Sequence, residues 1–268
     1  MKIHPSAIVD ANAQLGEDVE VGPFSIIGPL ARIGSGTRLG SHVVIEGAVR
    51  IGSNNVIGPG SIIGGAPQDL GFDEKTRSAI VIGDENVLRE YCTIHRGSIE
   101  GSSTMIGHKN FLMAGVHLGH NCKIGNGVII ANSVLLAGHV SIDDQAFIGG
   151  ATTFHQNMRV GRLVMAQGSS AFGKDLPPFT LAAERNAVFG LNVIGMRRAG
   201  FTSEQRNEIK RAFKLLYLSG LNLRQVLERA AAEEWGEVGR EFFDFVTAAG
   251  KRGVCRYHRD KERAAEES

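Results

Sequence analysis

Residues 19–58 read VEVGPFSIIGPLARIGSGTRLGSHVVIEGAVRIGSNNVIG, and an aliphatic residue returns every sixth place. Stepping by six across the N-terminal quarter gives Val9, Leu15, Val21, Ile27, Ile33, Leu39, Ile45, Ile51, Ile57 and Ile63 without a miss. The next residue is usually glycine (Gly16, Gly22, Gly28, Gly34, Gly40, Gly52, Gly58, Gly64), with Glu46 the clear exception. Four places after the aliphatic comes a small or β-branched residue in most repeats: Val19, Ser25, Ala31, Thr37, Val43, Val49 and Ser61. A period of six suits neither a helix nor a long strand, but it suits short flat strands joined by tight corners, each hexad sending one aliphatic side chain inward. Three hexads close one triangular coil, so residues 18 apart stack at about 4.8 Å, the strand-pairing distance. Glycine marks where such a chain turns or approaches itself closely. A sandwich would need turn signals every 8 to 12 residues or so and hairpin dipeptides, and neither is present. The expected fold is a parallel β-helix.

The same step resumes through Ile82, Leu88, Ile94, Glu100, Ile106, Leu112, Leu118, Ile124, Ile130, Leu136, Ile142, Ile148, Phe154, Val160 and Ala166, and Glu100 alone breaks the row. From Ile63 to Ile82 the spacing is no multiple of six, so a polar excursion loop leaves the prism near residues 65–80. The β-helix is expected over residues 1–176. Pro177-Pro178 then blocks the repeat, and residues 177–253 read as a helical subdomain. Thr202 and Gln205 form a capping-box start, with Ile209, Ala212, Phe213, Leu216 and Tyr217 at helical spacing until Gly220. Val226, Leu227 and Ala230 suggest a second helix, and Val238, Phe242, Phe245 and Val246 a third. Residues 254–268 are charged and expected to be frayed.

The 268 residues carry 29 Lys and Arg against 28 Asp and Glu, and 43% are hydrophobic. Such a balance builds a core but offers no concentrated basic face, so nucleic acid is not an expected partner. No apolar run is long enough for a membrane span, and the start MKIHPSAIVD lacks a signal peptide's apolar stretch, so the expected location is cytoplasmic. The three cysteines are far apart, which argues against a disulfide framework or a thiolate zinc site.

Chemistry concentrates in His117, His120, His139 and His155. By the stacking rule His120, Gly138 and Gln156 form one column along one edge, flanked by His139 and His155, with His117 across the preceding corner. His95 is expected on a different face. An imidazole can take a proton from a hydroxyl or amine nucleophile, and a glycine N–H one coil away can face the oxyanion that forms when the nucleophile attacks an acyl carbon. Acyl transfer thus needs no catalytic Ser or Cys here. Zinc binding by several histidines on one edge is the other chemical use of this cluster.

The hexad array, the segment HLGHNCKIGNGVIIANSVLLAGHVSIDD (117–144), the loop PQDLGF (67–72) and the stretch GLNVIGMRRAGF (190–201) resemble the UDP-N-acetylglucosamine O-acyltransferases that begin lipid A synthesis. The resemblance implies a left-handed β-helix and a homotrimer with sites between subunits. The implied reaction moves a 3-hydroxyacyl group from acyl carrier protein to the 3-position of a UDP-sugar. It further implies His120 as general base and Gly138 as oxyanion donor, with His117, His139, His155 and Gln156 lining the site. By the same resemblance Gln68 and Asp69 contact the nucleotide sugar, Asn192 and Arg198 lie near the nucleotide or the carrier arm, and Gly168 limits acyl-chain length. No cofactor and no metal are implied, because the thioester arrives activated. The carrier is acidic, so Arg159, Arg162, Arg197 and Arg198 are candidates to receive it. An Asx turn before Gly71 is the structural reading of Gln68 and Asp69.

Three positions depart from the commoner pattern: Asn121 follows the base where Asp is usual, Gly71 stands where a Lys is known, and Ala199 replaces a second Arg. A branch with a similar loop and an Arg-Ala-Gly-Phe ending resembles enzymes that acylate a 3-amino sugar. An amine asks less of a base than a hydroxyl does, which accords with Asn121. Two other classes stand beside acyl transfer: a β-helix metal hydratase of the carbonic-anhydrase type, and a non-enzymatic scaffold. The scaffold class wants regular threonine rows, and Thr37, Thr93, Thr152 and Thr153 form none.

Overall fold

The computed structural model describes residues 1–258. Its core is a three-walled prism whose walls are parallel sheets of twelve, nine and eight short strands, here walls A, B and C. Successive strands go to successive walls, and residues 18 apart pair in register, as Glu20 with Arg38 on wall A, Ile26 with Val44 on wall B and Arg32 with Arg50 on wall C. Most strands are two residues long: one side chain faces out and the next fills the interior. The inward row includes Ile27, Ile45, Ile63, Ile94, Leu118 and Leu136 on wall B, all at most 1% exposed. Each fully buried aliphatic contributes about 1.5–3 kcal/mol, so the column of stacked aliphatics holds the coils together.

The glycines and the corners divide the two roles that the sequence leaves open. The glycine after each inward aliphatic is there for close approach: a Cβ on Gly34 would lie 2.5 Å from the Gly52 carbonyl carbon, and one on Gly22 2.6 Å from that of Gly40. The turn itself is made at the second corner residue, which takes left-handed backbone even where it is not glycine, as at Phe24 (φ 58°), Asn121 (φ 61°), Ser133 (φ 58°) and His139 (φ 60°). Its N–H donates to the carbonyl of the first corner residue one coil below, as His139 to His120 at 2.9 Å. That hydrogen bond offsets the strain of the left-handed residue and leaves the first corner residue's own N–H outside the ladder.

Two loops leave the prism, not one. The excursion runs between Ile62–Gly65 on wall B and Ala79–Ile82 on wall C. A second loop lies between Thr93–His95 on wall B and Ser103–Ile106 on wall C. Glu100 belongs to it, so this residue is no failed hexad: the loop lengthens the coil by six residues, one hexad's worth, and hides within the repeat phase. Thr93 consequently pairs with His117, 24 residues on, while Lys123 pairs with Ser141 at the ordinary 18. Both loops leave from the edge where walls B and C meet.

Toward the C-terminus wall A gains an antiparallel hairpin, Thr180–Ala183 with Ala187–Leu191. A short helix follows, α1 (Val193–Arg198), capped by Asn192. The expected helices are α2 (Ser203–Leu218), which has the Thr202/Gln205 capping box, α3 (Leu223–Ala231) and α4 (Glu237–Thr247). They enclose a second core around Phe179, Phe242, Ile209 and Val226. The chain does not fray at 254: Cys255 is fully buried, and Arg256–Tyr257 pairs with Ala187 and Val188. The remainder of the charged segment, 259–268, lies outside the described residues.

Replacing Gly34 with Ala should force adjacent backbones apart and cost about 1–3 kcal/mol, by the measure of other overpacked cores. Ser133→Gly, at an exposed left-handed corner, should stay within about 0.5 kcal/mol of the native protein, since glycine takes that conformation freely. Thermal denaturation followed by circular dichroism reads both; equal losses would refute the division of roles.

Candidate active site

The edge between walls B and C collects most of the candidate residues. In ascending coils it carries the excursion loop with Gln68 and Asp69, the second loop, then the corners containing His120, Gly138 and Gln156 in one column. The His120 imidazole lies directly against Gly138: a Cβ there would be 2.5 Å from both Nε2 and Cε1. Only glycine accommodates the ring at this place. The Gly138 N–H, a first corner residue's amide, has no hydrogen-bond partner among the described residues.

The tautomer of His120 follows from its neighbours. The Ser98 backbone N–H, which can only donate, points to Asn121 Oδ1 at 3.0 Å, and the Ser98 hydroxyl donates to the same atom at 3.0 Å. That atom is therefore an acceptor, and His120 Nδ1, 3.0 Å from it, carries the proton. Nε2 is left with its lone pair on the Gly138 side, the arrangement a general base needs. Asn121 thus keeps the orienting role of an acidic neighbour without its charge. Its own N–H donates to Thr104 Oγ1 at 2.8 Å, and Thr104 Oγ1 donates to the His95 carbonyl at 2.6 Å.

Ser98 belongs to the second loop, which is also fastened to the excursion loop. Arg96 donates to the Thr76 and Glu74 carbonyls at 2.9 and 3.2 Å and stacks 5.0 Å over the Phe72 ring. Arg77 N–H donates to Glu100 at 2.8 Å. The excursion loop, the second loop and His120 therefore form one connected hydrogen-bonded unit. Within the excursion, Asp69 accepts the Gly71 N–H at 2.9 Å, so the Asx turn is formed, and both Gln68 and Asp69 are exposed.

Other histidines surround the column. His139 meets His120 edge-on at 5.0 Å between ring centroids. His117 lies 2.9 Å from Thr93 Oγ1 and 5.1 Å, ring to ring, from His95. The expectation for His95 is thus overturned: the six-residue insertion shifts the pairing so that His95 shares wall B with His117, and its Nδ1 donates to the Ala66 carbonyl at 2.6 Å. Burial, followed by the neighbouring His95, lowers the His117 pKa below its ordinary 6.5; burial, then His120 and Lys123, lowers that of His139. In both, the surroundings disfavour the charged form.

Three candidates are elsewhere. Gly168 lies on the edge between walls A and B, where its Cβ position is 2.9 Å from the Gly150 carbonyl. Asn192 and Arg198 line a groove of about 800 Å³ on wall A, floored by Ile129, Phe147, Met165 and Leu181. The Asn192 amide caps α1, accepting from Gly195 N–H at 2.9 Å and donating to the Leu163 carbonyl at 2.9 Å. Two of the four arginines proposed for the carrier are committed to the fold. Arg159 pairs with Asp175 at 2.8 Å and stacks on Phe245, and Arg162 grips Glu241 through two nitrogens. Both fasten α4 to the prism, whereas Arg197 and Arg198 are exposed.

Among the described residues no group of three or more His, Cys, Asp or Glu side chains is placed to hold a metal ion. Nor is any described helix long and apolar enough to cross a membrane.

Residues 30–65 and 103–138 match the bacterial transferase hexapeptide family (six repeats), and residues 175–255 match domain 2 of the Udp N-acetylglucosamine O-acyltransferases. Fold and site together define a hexapeptide-repeat acyltransferase. Over 258 residues the chain is 49% identical to the acyl-[acyl-carrier-protein]–UDP-N-acetylglucosamine O-acyltransferase of Anaeromyxobacter dehalogenans, covering 96% of this chain and 100% of that protein. It is 46% identical over 263 residues to the same-named protein of Paraburkholderia phymatum, with 95% and 99% covered. The UDP-N-acetylglucosamine acyltransferase structure from Bacteroides fragilis superimposes with a TM-score of 0.89 at 40% identity, covering 94% of this chain and 99% of that one. That from Acinetobacter baumannii gives 0.91 at 36%, covering 96% and 100%. The chain belongs to the UDP-N-acetylglucosamine O-acyltransferase family, and its coil is a left-handed parallel β-helix.

If His120 is the base, Gly138→Ala should push its ring aside and lower acyl-transfer turnover by about 100-fold or more, the scale of a misplaced reacting group; an unchanged rate would separate the ring from the chemistry. Stability should also fall as pH drops below the ordinary histidine value of 6.5, because the unfolded chain takes up protons that His117 and His139, with lowered folded pKa values, resist. Urea midpoints between pH 7.5 and 5 measure this, and His117→Asn should flatten the dependence.

Proposed function

We propose that the protein transfers a 3-hydroxyacyl chain from the thioester of an acyl carrier protein to the 3-position of UDP-N-acetylglucosamine or its 3-amino analogue, the first step of lipid A synthesis. The observation that carries this reading is the His120 imidazole seated on Gly138, with Nδ1 donating to Asn121 Oδ1 so that in the neutral ring Nε2 is the acceptor. In the proposed step Nε2 takes the proton of the 3-hydroxyl as its oxygen attacks the thioester carbonyl. The oxyanion forms opposite the Gly138 N–H; the C–S bond then breaks, and the proton passes from His120 to the departing thiolate, giving the free carrier thiol. The lowered pKa values of His139 and His117 disfavour like charge beside the base. No cofactor enters, because the thioester supplies the activation. The proposed location of the reaction is the cytoplasm.

The site is completed by a second copy of the chain. The base and its column occupy the edge between walls B and C, while the Asn192 and Arg198 groove is on wall A, the opposite wall of the same prism. One chain cannot fold the two together. Wall B also carries an outward row, Ile8, Ile26 and Ile62, that is 66%, 45% and 41% exposed. A homotrimer covers such a row and sets one copy's wall A against the next copy's histidine edge. In that setting Gln68 and Asp69 reach the nucleotide sugar, Gln156 and His155 line the cleft, and Gly168 leaves room for a long acyl chain.

Asn121 favours the 3-amino acceptor. An amine attacks with its own lone pair and sheds its proton afterwards, so an uncharged orienter suffices. Given one acyl carrier and both UDP-sugars, the enzyme should form an amide at a rate at least equal to the ester, read by product mass. A strong ester preference removes the amine reading, and absence of both products removes acyl transfer to this sugar. His120→Ala should lose at least about 1,000-fold in turnover while light scattering still reports a trimer.

A further inference from the structure

Beside the His155 and Gln156 end of the column stands Arg252, which the sequence offered no reason to place there. The segment after α4 makes a tight turn in which Gly253 N–H donates to the Gly250 carbonyl at 2.9 Å and Gly253 takes φ 65°. It is then pinned to the prism, with Asp175 N–H donating to the Gly253 carbonyl at 3.2 Å and Cys255 N–H to the Asp175 carbonyl at 2.8 Å. Lys251 and Arg252 occupy the tip of that turn and are exposed. The Arg252 guanidinium reaches back to the site: NH1 is 2.6 Å from His155 Nδ1 and 3.0 Å from the Gln156 carbonyl.

Two consequences follow from donor chemistry. A guanidinium has no acceptor, so His155 Nδ1 receives its hydrogen bond and the ring proton sits on Nε2. The 3.3 Å approach of Nδ1 to the Gln156 carbonyl is then a bridged contact, both atoms accepting from the one guanidinium nitrogen. His155 is thereby made a donor at Nε2, the opposite tautomer to His120. Furthermore, among the described residues no carboxylate is ion-paired with Arg252, so its positive charge stands beside the ring nitrogen that accepts from it. A cation held in this way against a donating ring, at the mouth of a site for activated acyl groups, is arranged for an anion.

We propose that Arg252 and His155 Nε2–H form a phosphoryl-oxygen site: Arg252 binds the anion and fixes His155 as its second donor. Resting on the acyl-transfer reading, the anion is either the diphosphate of the nucleotide sugar or the phosphate of the carrier's pantetheine arm. The two share one recognition chemistry, oxyanions that accept from planar N–H donors.

Calorimetry with two matched pairs of probes tests the site without turnover: UDP against uridine, and 4′-phosphopantetheine against pantetheine. In the native protein the phosphorylated member of one pair should bind more tightly. Arg252→Ala should weaken that member about tenfold or more, the scale of a lost charge-assisted contact, and leave its phosphate-free partner unchanged; which pair responds identifies the source. Arg252→Lys, which keeps the charge without the planar fork, should fall between the two. The ring-nitrogen shifts of His155 in NMR should report Nε2–H in the native protein and a tautomer mixture in Arg252→Ala. Unchanged affinities in both pairs, or a tautomer indifferent to the substitution, overturn the proposal. Because these readouts need no acyl donor, a protein that binds phosphate through Arg252 but transfers no acyl group would sink the reaction and spare the site.

Discussion

The whole molecule depends on one constraint: each hexad must hydrogen-bond in register to the hexad one coil above. Lys2 N–H donates to the Val19 carbonyl at 2.8 Å, Glu20 N–H to that of Thr37 at 3.0 Å and Arg38 N–H to that of Asn55 at 2.8 Å, one coil after another. Parallel pairing at strand distance leaves no room for a Cβ where corner meets corner, which is why glycine follows the inward aliphatic. It also fixes which side chains stack, so a column such as His120, Gly138 and Gln156 is set by arithmetic and does not await a tertiary accident.

That constraint dictates where function can be inserted. A wall strand cannot be interrupted without orphaning buried N–H and C=O groups in the coils above and below. A corner can, because its first residue already leaves an amide outside the ladder. Both loops depart at corners, and on either side of them the ladder runs on: Ile62 pairs with Thr93 and Ala79 with Ser103 as if nothing intervened. Since they leave from the same edge in successive coils, they lie side by side, and Arg96 and Ser98 bind the first loop to the second and the second to Asn121. In the proposed reaction the column supplies the reacting groups, and the loops beneath it hold the imidazole's proton on Nδ1.

The sequence showed the period, the walls, the excursion loop and the histidine column because all of these follow from local spacing. The capping box at Thr202 and Gln205 was equally legible, being a three-residue pattern. What escaped was of two kinds. The second loop adds six residues to its coil and so mimics a hexad; Glu100 in an aliphatic row was its one trace, and counting it as a hexad of the prism put His95 on the wrong face. Contacts between distant segments left no trace at all. Arg159 and Arg162 look like free surface cations until Asp175 and Glu241 are seen against them, and Arg252, 97 residues from His155, has only the flanking Gly250 and Gly253 to suggest a turn.

The same geometry explains why the site holds several histidines where one base would do. Imidazole alone among side chains can be set as acceptor or donor by what its second nitrogen touches. Asn121 Oδ1 accepts from one side of His120 and so frees Nε2 to take a proton; the Ala66 carbonyl does the same for His95. Arg252 donates to His155 and so turns its Nε2 into a donor. A rigid coil cannot reshape its corners to suit each group of a substrate, because every corner is stacked on the next. Varying the neighbour that fixes each tautomer lets one repeated backbone present acceptors at His95 and His120 and a donor at His155, two kinds of polar group from a single kind of side chain.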